Sequence, residues 1–555
     1  MTWRLLFLTP ALVFAQSEPA PLMHLKVPMR DGVRLCTNVF RPASPARAPV
    51  LLNRTPYGKA SELAGGIRYF VDHGYAVVVQ DVRGRYDSGG VFRTIVQETP
   101  DGEDTISWIV KQPWSNGQVG MYGSSYSGMT QWRAAISGHP ALKVIAPGVS
   151  GWDEYLDRYY SPGGAFKLGH RLFWIAENLH LPSHLVPDFQ RLVEHVPLRT
   201  ADRLATGRTV EDFQAVLDHP SYDDYWRSLS TRQLIDRIKV PALIFTGWYD
   251  NYAESDLAVF RSLRDRGRPA RIVIGPYGHN MSLTMPDEDF GPDSRPAVSQ
   301  IQVAWFDMWL KNGSPTARTL ARWYTTGANV WREEESWPPE EMTPRAYYLD
   351  DVGKLSPVPS RKSHSDRFTY DPRHPVPTRG GSVCCNFKVF PWGPMDQRPL
   401  GDRADVLVFQ SAPLDNDLDV TGAVQAVLYV STSAPDTDFT AKLVDLYPDG
   451  RRRLLCDGIL RLRYREGLEH PKFVKAGEVV KAAIPVGVTS HVFLTGHRVR
   501  LEISSSNFPR FDRNPNTGRP IADETHWRTA EQSVWHGTGR ASHLLLPVVP
   551  HGTAK

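Results

Sequence analysis

The sequence predicts an α/β architecture: a mainly parallel sheet with helices on both faces, interrupted by a helical insertion and followed by an all-β sandwich. Three observations predict it. Short apolar runs rich in β-branched residues recur at Val50–Leu52, Tyr75–Gln80, Val119–Tyr122, Val144–Ala146, Ala242–Thr246 and Ile272–Ile274. Most are separated by helix-length segments, the alternation from which βαβ units are built. Between the fourth and fifth runs a stretch over 152–235 breaks this rhythm with aromatics and helix-compatible patterns such as His170–His180 and Thr209–Asp218. Beyond residue 345 the texture turns to short strands with turn signals, at Val406–Gln410, Val424–Val430, Phe439–Leu446, Leu454–Leu462, Val499–Ser504 and His543–Val549, the pattern of packed antiparallel sheets.

Taken in order, Met1-Thr2-Trp3-Arg4 precedes an apolar run from Leu5 to Phe14, with small Val13 and Ala15 ahead of polar Gln16-Ser17-Glu18. A basic start, a short apolar stretch and small residues near the cut describe a signal peptide over 1–15, so the mature protein is expected to be secreted or periplasmic. The run is shorter than the about 20 residues a bilayer span takes, and no membrane attachment is expected after cleavage. His24–Met29 and Val33–Phe40 then flank Arg30-Asp31-Gly32, which reads as an antiparallel hairpin around an Asp-Gly turn. The parallel core occupies 20–150 and resumes over 239–345, with the cap inserted at 151–238. Trp337-Pro338-Pro339 marks the approach to the β region, read as 346–551.

Composition narrows the function classes. With 22% charged and 41% hydrophobic residues the 555-residue chain falls in neither the disordered nor the fibrous class. Net charge is +4, and the basic cluster Arg451-Arg452-Arg453 follows Pro448-Asp449-Gly450 as a hairpin flank would, which argues against nucleic acid as a partner. Of the four cysteines, Cys36, Cys384, Cys385 and Cys456, neighbours Cys384 and Cys385 could close only a strained ring; each is expected to pair elsewhere or stay reduced. No Cys-x-x-Cys spacing is present, and neither a metal nor a cofactor is expected. Homo-oligomerisation is allowed but not specified.

The chemistry is carried by Gly120-Met121-Tyr122-Gly123-Ser124-Ser125-Tyr126-Ser127-Gly128, which follows a strand and precedes the helix-like Met129–Ser137. A nucleophile elbow needs this context, because a sharp strand-to-helix turn lifts a serine hydroxyl clear of the sheet and demands small flanking residues. The spacing is Gly-x-Ser-x-x-Gly, and a glycine-rich turn without chemistry is the bland alternative. Ser124 and Ser127 compete with Ser125, but neither sits at the apex. A serine hydroxyl needs a histidine to take its proton and a carboxylate to hold that histidine, in the chain order serine, acid, histidine. Ala242–Thr246 runs into Gly247-Trp248-Tyr249-Asp250, and Ile272–Ile274 into Gly275-Pro276-Tyr277-Gly278-His279, so Asp250 and His279 meet that order. The oxyanion donors are read as the backbone N–H of Tyr126 and the phenol of Tyr57, in the loop after an early strand. Trp152, Trp248 and Tyr249 are candidates for an apolar acyl pocket, or else pack the cap onto the core.

These residues resemble the family of cocaine esterases and X-Pro dipeptidyl-peptidases, which also holds α-amino acid ester hydrolases and glutaryl acylases. The resemblance rests on Arg54-Thr55-Pro56-Tyr57, Asp81-Val82-Arg83-Gly84-Arg85, Gln112-Pro113-Trp114-Ser115-Asn116-Gly117-Gln118-Val119-Gly120-Met121, the Ser125 segment, Gly247-Trp248-Tyr249-Asp250 and Gly275-Pro276-Tyr277-Gly278-His279. In the β region Asp436-Thr437-Asp438-Phe439 and Asn507-Phe508-Pro509-Arg510-Phe511 also look familial. It implies an α/β-hydrolase core with a helical cap and a C-terminal jelly roll, the triad Ser125, Asp250 and His279, and the oxyanion donors Tyr57 and Tyr126. Dedicated X-Pro peptidases carry an additional N-terminal domain without a counterpart here, which sets the expectation against that activity. The amino acid ester hydrolases carry a glutamate soon after the nucleophile and an acidic pair after the triad aspartate. Here Ser127 stands in the first place and Asn251-Tyr252-Ala253-Glu254 in the second, leaving Glu254 or Asp256 as the carboxylate for a substrate ammonium.

The reading is therefore an exported serine hydrolase acting on small esters or amides through an acyl-enzyme on Ser125. The alternatives are an X-Pro dipeptidyl-peptidase or a β-lactam or glutaryl acylase, and, outside catalysis, an inactive hydrolase whose sandwich binds a carbohydrate or partner.

Overall fold

Arg30-Asp31-Gly32 reverses the chain through Gly32 at φ 84°, and strands β1 (Leu22–Pro28) and β2 (Arg34–Phe40) pair antiparallel on either side. The computed structural model describes residues 19–550 apart from 45, 282–284, 312–317, 352 and 385; the segment read as a signal peptide, 1–15, lies outside the described residues.

After the hairpin come β3 (Ala48–Thr55), β4 (Ala76–Asp81), β5 (Ser115–Ser124), β6 (Leu142–Gly148), β7 (Ala242–Tyr249), β8 (Ala270–Gly278), β9 (Leu320–Thr325) and β10 (Val330–Glu334). They form one ten-stranded sheet in the order β1-β2-β4-β3-β5-β6-β7-β8-β9-β10, parallel from β4 to β9. Strand alternation sorts the side chains onto two buried faces. Leu51, Val77, Val79, Leu243, Phe245 and Val273 pack against helices α1 (Gly65–Asp72) and, near the end of this half, Val298–Leu310. Val50, Leu52, Val78, Ile244 and Ile272 face the other layer, with α2 (Glu98–Ile109) and α3 (Tyr126–Ser137). Burial on both faces is why the runs read as continuous apolar segments.

The insertion is helical: a π-turn at Tyr155–Tyr159, then α4 (Leu168–Leu179), α5 (Phe189–Glu194), α6 (Ala201–Thr206), α7 (Glu211–Asp218) and α8 (Asp224–Leu229). α9 (Ala253–Asp265) and α10 (Val298–Leu310) complete the core layers.

The second sheet holds β11 (Thr343–Asp350), β12 (Lys354–Ser356), β13 (His364–Tyr370), β14 (Leu407–Gln410), β15 (Leu418–Thr432), β16 (Asp438–Leu446), β17 (Arg452–Arg461), β18 (Val480–Phe493), β19 (Arg498–Ser504), β20 (Ala530–His536) and β21 (His543–Val549). Their order is β13-β20-β15-β21-β11-β12-β14-β19-β16-β17, with β18 on β15. Pro448-Asp449-Gly450 does turn the β16–β17 hairpin, Gly450 N–H donating to the Tyr447 carbonyl. Ribbon β9–β10 had no counterpart in the sequence reading; it extends the first sheet.

The parts interlock. Thr326 N–H donates to the Ser490 carbonyl at 3.0 Å and Val492 N–H to Thr326 at 2.8 Å, tying the end of β9 to β18. In the cap, Gly163 lies so close to β17 that a Cβ there would stand 1.9 Å from the Ile459 carbonyl oxygen. The loop between β13 and β14 reaches back to the core, where Trp392 packs on Gly278. One cysteine expectation is corrected. Cys384 is disulfide-bonded, and Cys36 and Cys456 are both free buried thiols held inside β2 and β17, so neither is its partner.

Candidate active site

Between β5 and α3 the backbone passes through Ser125 at φ 57° and ψ −125°. For a residue with a Cβ this conformation costs of order 1–3 kcal/mol and persists only where the surroundings enforce it. They do: Ser125 N–H donates to the Gly148 carbonyl at 2.9 Å, and the Ser125 carbonyl accepts from Gly128 and Met129 at 2.8 and 3.1 Å. The flanking glycines have steric reasons. A Cβ at Gly123 would lie 2.5 Å from Asn53 Nδ2, and one at Gly128 2.5 Å from Ser150 Cβ.

β7 and β8 are neighbouring parallel strands, so their carboxyl ends deliver Asp250 and His279 to the same rim as Ser125. The Ser125 hydroxyl lies 3.0 Å from His279 Nε2, and His279 Nδ1–H donates to Asp250 Oδ2 at 2.6 Å. Asp250 is buried and its other oxygen accepts the Tyr252 N–H at 2.8 Å, which fixes the carboxylate plane. The three residues expected from strand order are thus brought together. Behind them Asp256 accepts the Gly151 N–H at 2.9 Å; burial, and then the Asp250 charge, push its carboxyl well above the usual range.

The Tyr57 hydroxyl is 3.4 Å from Ser125 Oγ and accepts from Trp174 Nε1 at 3.4 Å. Arg85 Nε, donating to the Pro56 carbonyl at 3.0 Å, steadies this loop. Tyr126 is the first residue of α3, where an N–H has no intrahelical acceptor. Its buried phenol donates to Glu98 at 2.9 Å, and Arg54 donates to the same carboxylate at 2.7 Å. Arg83 in turn grips Asp101 at 2.6 and 3.0 Å. Arg54 and Arg83 therefore both anchor α2, and through Glu98 the Arg54 guanidinium is linked to the Tyr126 phenol at the start of α3.

The three pocket candidates are all buried. Trp248 is buried with its indole N–H on the Tyr324 carbonyl at 2.7 Å and its ring against Trp337. Tyr249 is buried beside Arg453, and Trp152 lines a separate cavity of about 690 Å³ at the cap–sandwich seam with Lys167, Asn251 and Glu254. Glu254 lines that cavity and, with Asp250, a smaller neighbouring one, while Asp256 lies behind the triad. Beside the nucleophile stand Trp174, whose indole donates to the Tyr57 hydroxyl, and Tyr252, with His170 behind it. Tyr252 packs on the His279 ring at 5.4 Å and His170 meets Tyr252 edge-on at 6.2 Å. Two buried guanidinium groups back this wall: Arg171 over the Tyr159 and Trp174 rings at 5.1 and 5.2 Å, Arg158 over Tyr126 and Trp174 at 5.3 and 5.5 Å. Arg158 pairs with Glu154 at 3.2 Å, while Arg171 Nε and Nη1 are buried with no hydrogen-bond partner among the described residues. Trp174 lies within the helix the periodicity predicts; which side of it meets the core is what the sequence left unread.

The parallel sheet and the hydrogen-bonded Ser125, His279 and Asp250 at its rim define a serine hydrolase of the α/β-hydrolase class. Residues 31–281 match the X-Pro dipeptidyl-peptidase (S15 family) model, and residues 309–545 match the X-Pro dipeptidyl-peptidase C-terminal non-catalytic domain. The chain is 39% identical to the cocaine esterase of Rhodococcus sp. (strain MB1 Bresler), over 95% of this chain and 98% of that one. Among solved structures, an aminopeptidase from a marine sediment Thaumarchaeota archaeon superposes with TM-score 0.85 at 28% identity, covering 99% of both chains. An α-amino acid ester hydrolase superposes with TM-score 0.85 at 29% identity, covering 97% of this chain and 99% of that one. The chain belongs to the cocaine esterase and X-Pro dipeptidyl-peptidase (S15) family. Among the described residues no helix is long and apolar enough to cross a membrane.

Proposed function

We propose that this protein is an exported carboxylesterase that works through an acyl-enzyme on Ser125; the observation that carries the reading is the continuous hydrogen-bonded line from Ser125 through His279 to Asp250. His279 Nε2 takes the hydroxyl proton as Ser125 Oγ bonds to the ester carbonyl carbon. The carbonyl electron pair moves to oxygen, where the Tyr57 phenol and the Tyr126 N–H stabilise it, a contribution of about 2.7–4 kcal/mol for one donor. Asp250 holds the imidazolium formed. Collapse breaks the C–O bond, His279 returns the proton to the leaving alkoxide, and water repeats the sequence to free the acid.

Esters are favoured over X-Pro peptides and α-amino esters because Arg158 and Arg171 back the wall beside the nucleophile, so a substrate ammonium would meet like charge in a buried setting. An acetate ester, an X-Pro anilide and an acylated β-lactam compared on one preparation test this: the ester is turned over and the X-Pro anilide is not. Faster anilide cleavage would overturn the preference, and a fluorophosphonate that labels a serine other than Ser125 would overturn the mechanism. Export is supported by the pattern of Met1 to Ala15. N-terminal sequencing of protein from outside the cytoplasm is expected to start after residue 15, and an intact Met1 there refutes it.

A further inference from the structure

The sandwich carries a cluster of ligand-type side chains that nothing above uses. His364 opens β13 and His536 closes β20, and the two stand opposite each other in the antiparallel ladder with ring centroids 5.2 Å apart. Asp351 sits in the turn after β11. One ligand atom from each of the three lies within 4.8 Å of the other two. Hydrogen bonding determines which atoms are free. Asp366 Oδ2 is 2.9 Å from His536 Nε2, and because a carboxylate only accepts, that nitrogen carries the ring proton and Nδ1 keeps its lone pair. His536 is fully buried, and its Nδ1 has no partner among the described residues; Asp351 Oδ1 is also buried and without one. Two of the three cluster residues thus carry a buried acceptor that no donor among the described residues serves, a situation folded proteins rarely leave uncorrected.

We propose that Asp351, His364 and His536 bind one divalent transition-metal ion of the zinc type. The ion answers both orphaned lone pairs at once. Two imidazole nitrogens and one carboxylate oxygen form a set that suits zinc and disfavours magnesium or calcium, which take oxygen ligands. Asp366 completes the arrangement from behind, as a carboxylate that orients a ligating histidine does, and its other oxygen lies 3.8 Å from His364 Nε2. The exposed His364 provides the entry path. The bound ion would fasten β13, the outermost strand of its sheet, and the β11–β12 turn to β20. A second cluster, His24, Cys36 and Asp87, differs in kind: the Lys59 ammonium already sits 2.6 Å from Asp87 and supplies its cation.

Chelator-treated full-length protein titrated calorimetrically with Zn²⁺ is expected to take up one equivalent. Asp351→Asn and His536→Ala should abolish that uptake, and Asp366→Asn should weaken it by about 10–100-fold. Ester hydrolysis by each variant reports on its fold, since the triad lies on the other sheet; Asp351→Asn changes no volume and serves if His536→Ala does not fold. No uptake by the parent protein, uptake unchanged in Asp351→Asn, or uptake lost on Cys36→Ser instead would each overturn the proposal.

Discussion

Ser125 holds a left-handed backbone that only its neighbours make tolerable, and His279 and Asp250 reach it from the ends of two adjoining strands. Replacing Ser125 with Ala is expected to cut kcat on an acetate ester by about 10⁴-fold or more with the fold intact, checked by burst kinetics beside circular dichroism. Tyr57→Phe removes one donor to the developing oxyanion, so kcat should fall by about 10²–10³-fold with KM little changed. At this scale the triad was legible because each member sits just past a strand whose apolar run is unmistakable. The pocket was not. Trp248 and Tyr249 adjoin Asp250 in sequence, yet they remain within β7, and the chain turns only afterwards, so Tyr252 rather than its neighbours arrives on the His279 ring. Spacing along a chain does not tell direction once a strand has ended. The metal ligands were equally hidden, since Asp351, His364 and His536 come from three separated elements with no short spacing to betray them.

The first turn of the cap is organised around one carboxylate. Asp157 Oδ2 accepts the N–H groups of Trp152 and Asp153 at 2.7 and 2.6 Å, and Gly151 must lack a side chain because a Cβ would lie 2.2 Å from that oxygen. Burial, and next the charge of Asp153, push Asp157 up to about 7 from an ordinary 3.8. Its folded state therefore binds a proton that its unfolded state releases, so this group's contribution to stability is complete below pH 3.8 and is lost as pH rises through 7. Asp157→Asn is expected to flatten the decline of Tm between those values, measured by thermal melts across the range. Strand β18 shows how an element escapes a sequence reading. Pro485 and Gly487 interrupt its apolar pattern and demote it, yet they pair with Gln425 and Val424, and a bulge at Val486 between them shifts the register without ending the ladder.

Across the molecule the sandwich takes part in shaping the site. Trp392, from the loop between β13 and β14, packs where a Cβ on Gly278 would meet its ring at 2.3 Å, next to the histidine. Trp392→Ala should leave the protein folded while lowering kcat several-fold through a looser His279 loop. Unchanged kcat at unchanged Tm would show that the β region only stabilises the core. The division into a parallel half, a cap and a β half was readable from changes in residue rhythm, but ribbon β9–β10 was not, because its short strands follow the core helices without the alternation that marks the rest. That ribbon has a practical consequence through its contact with β18. Since Thr326 exchanges main-chain hydrogen bonds with Ser490 and Val492, a chimera joined between relatives at the Trp337 linker would separate two segments that must match each other; a recombinant that inherits residues 320–334 and 480–493 from the same parent keeps the seam whole.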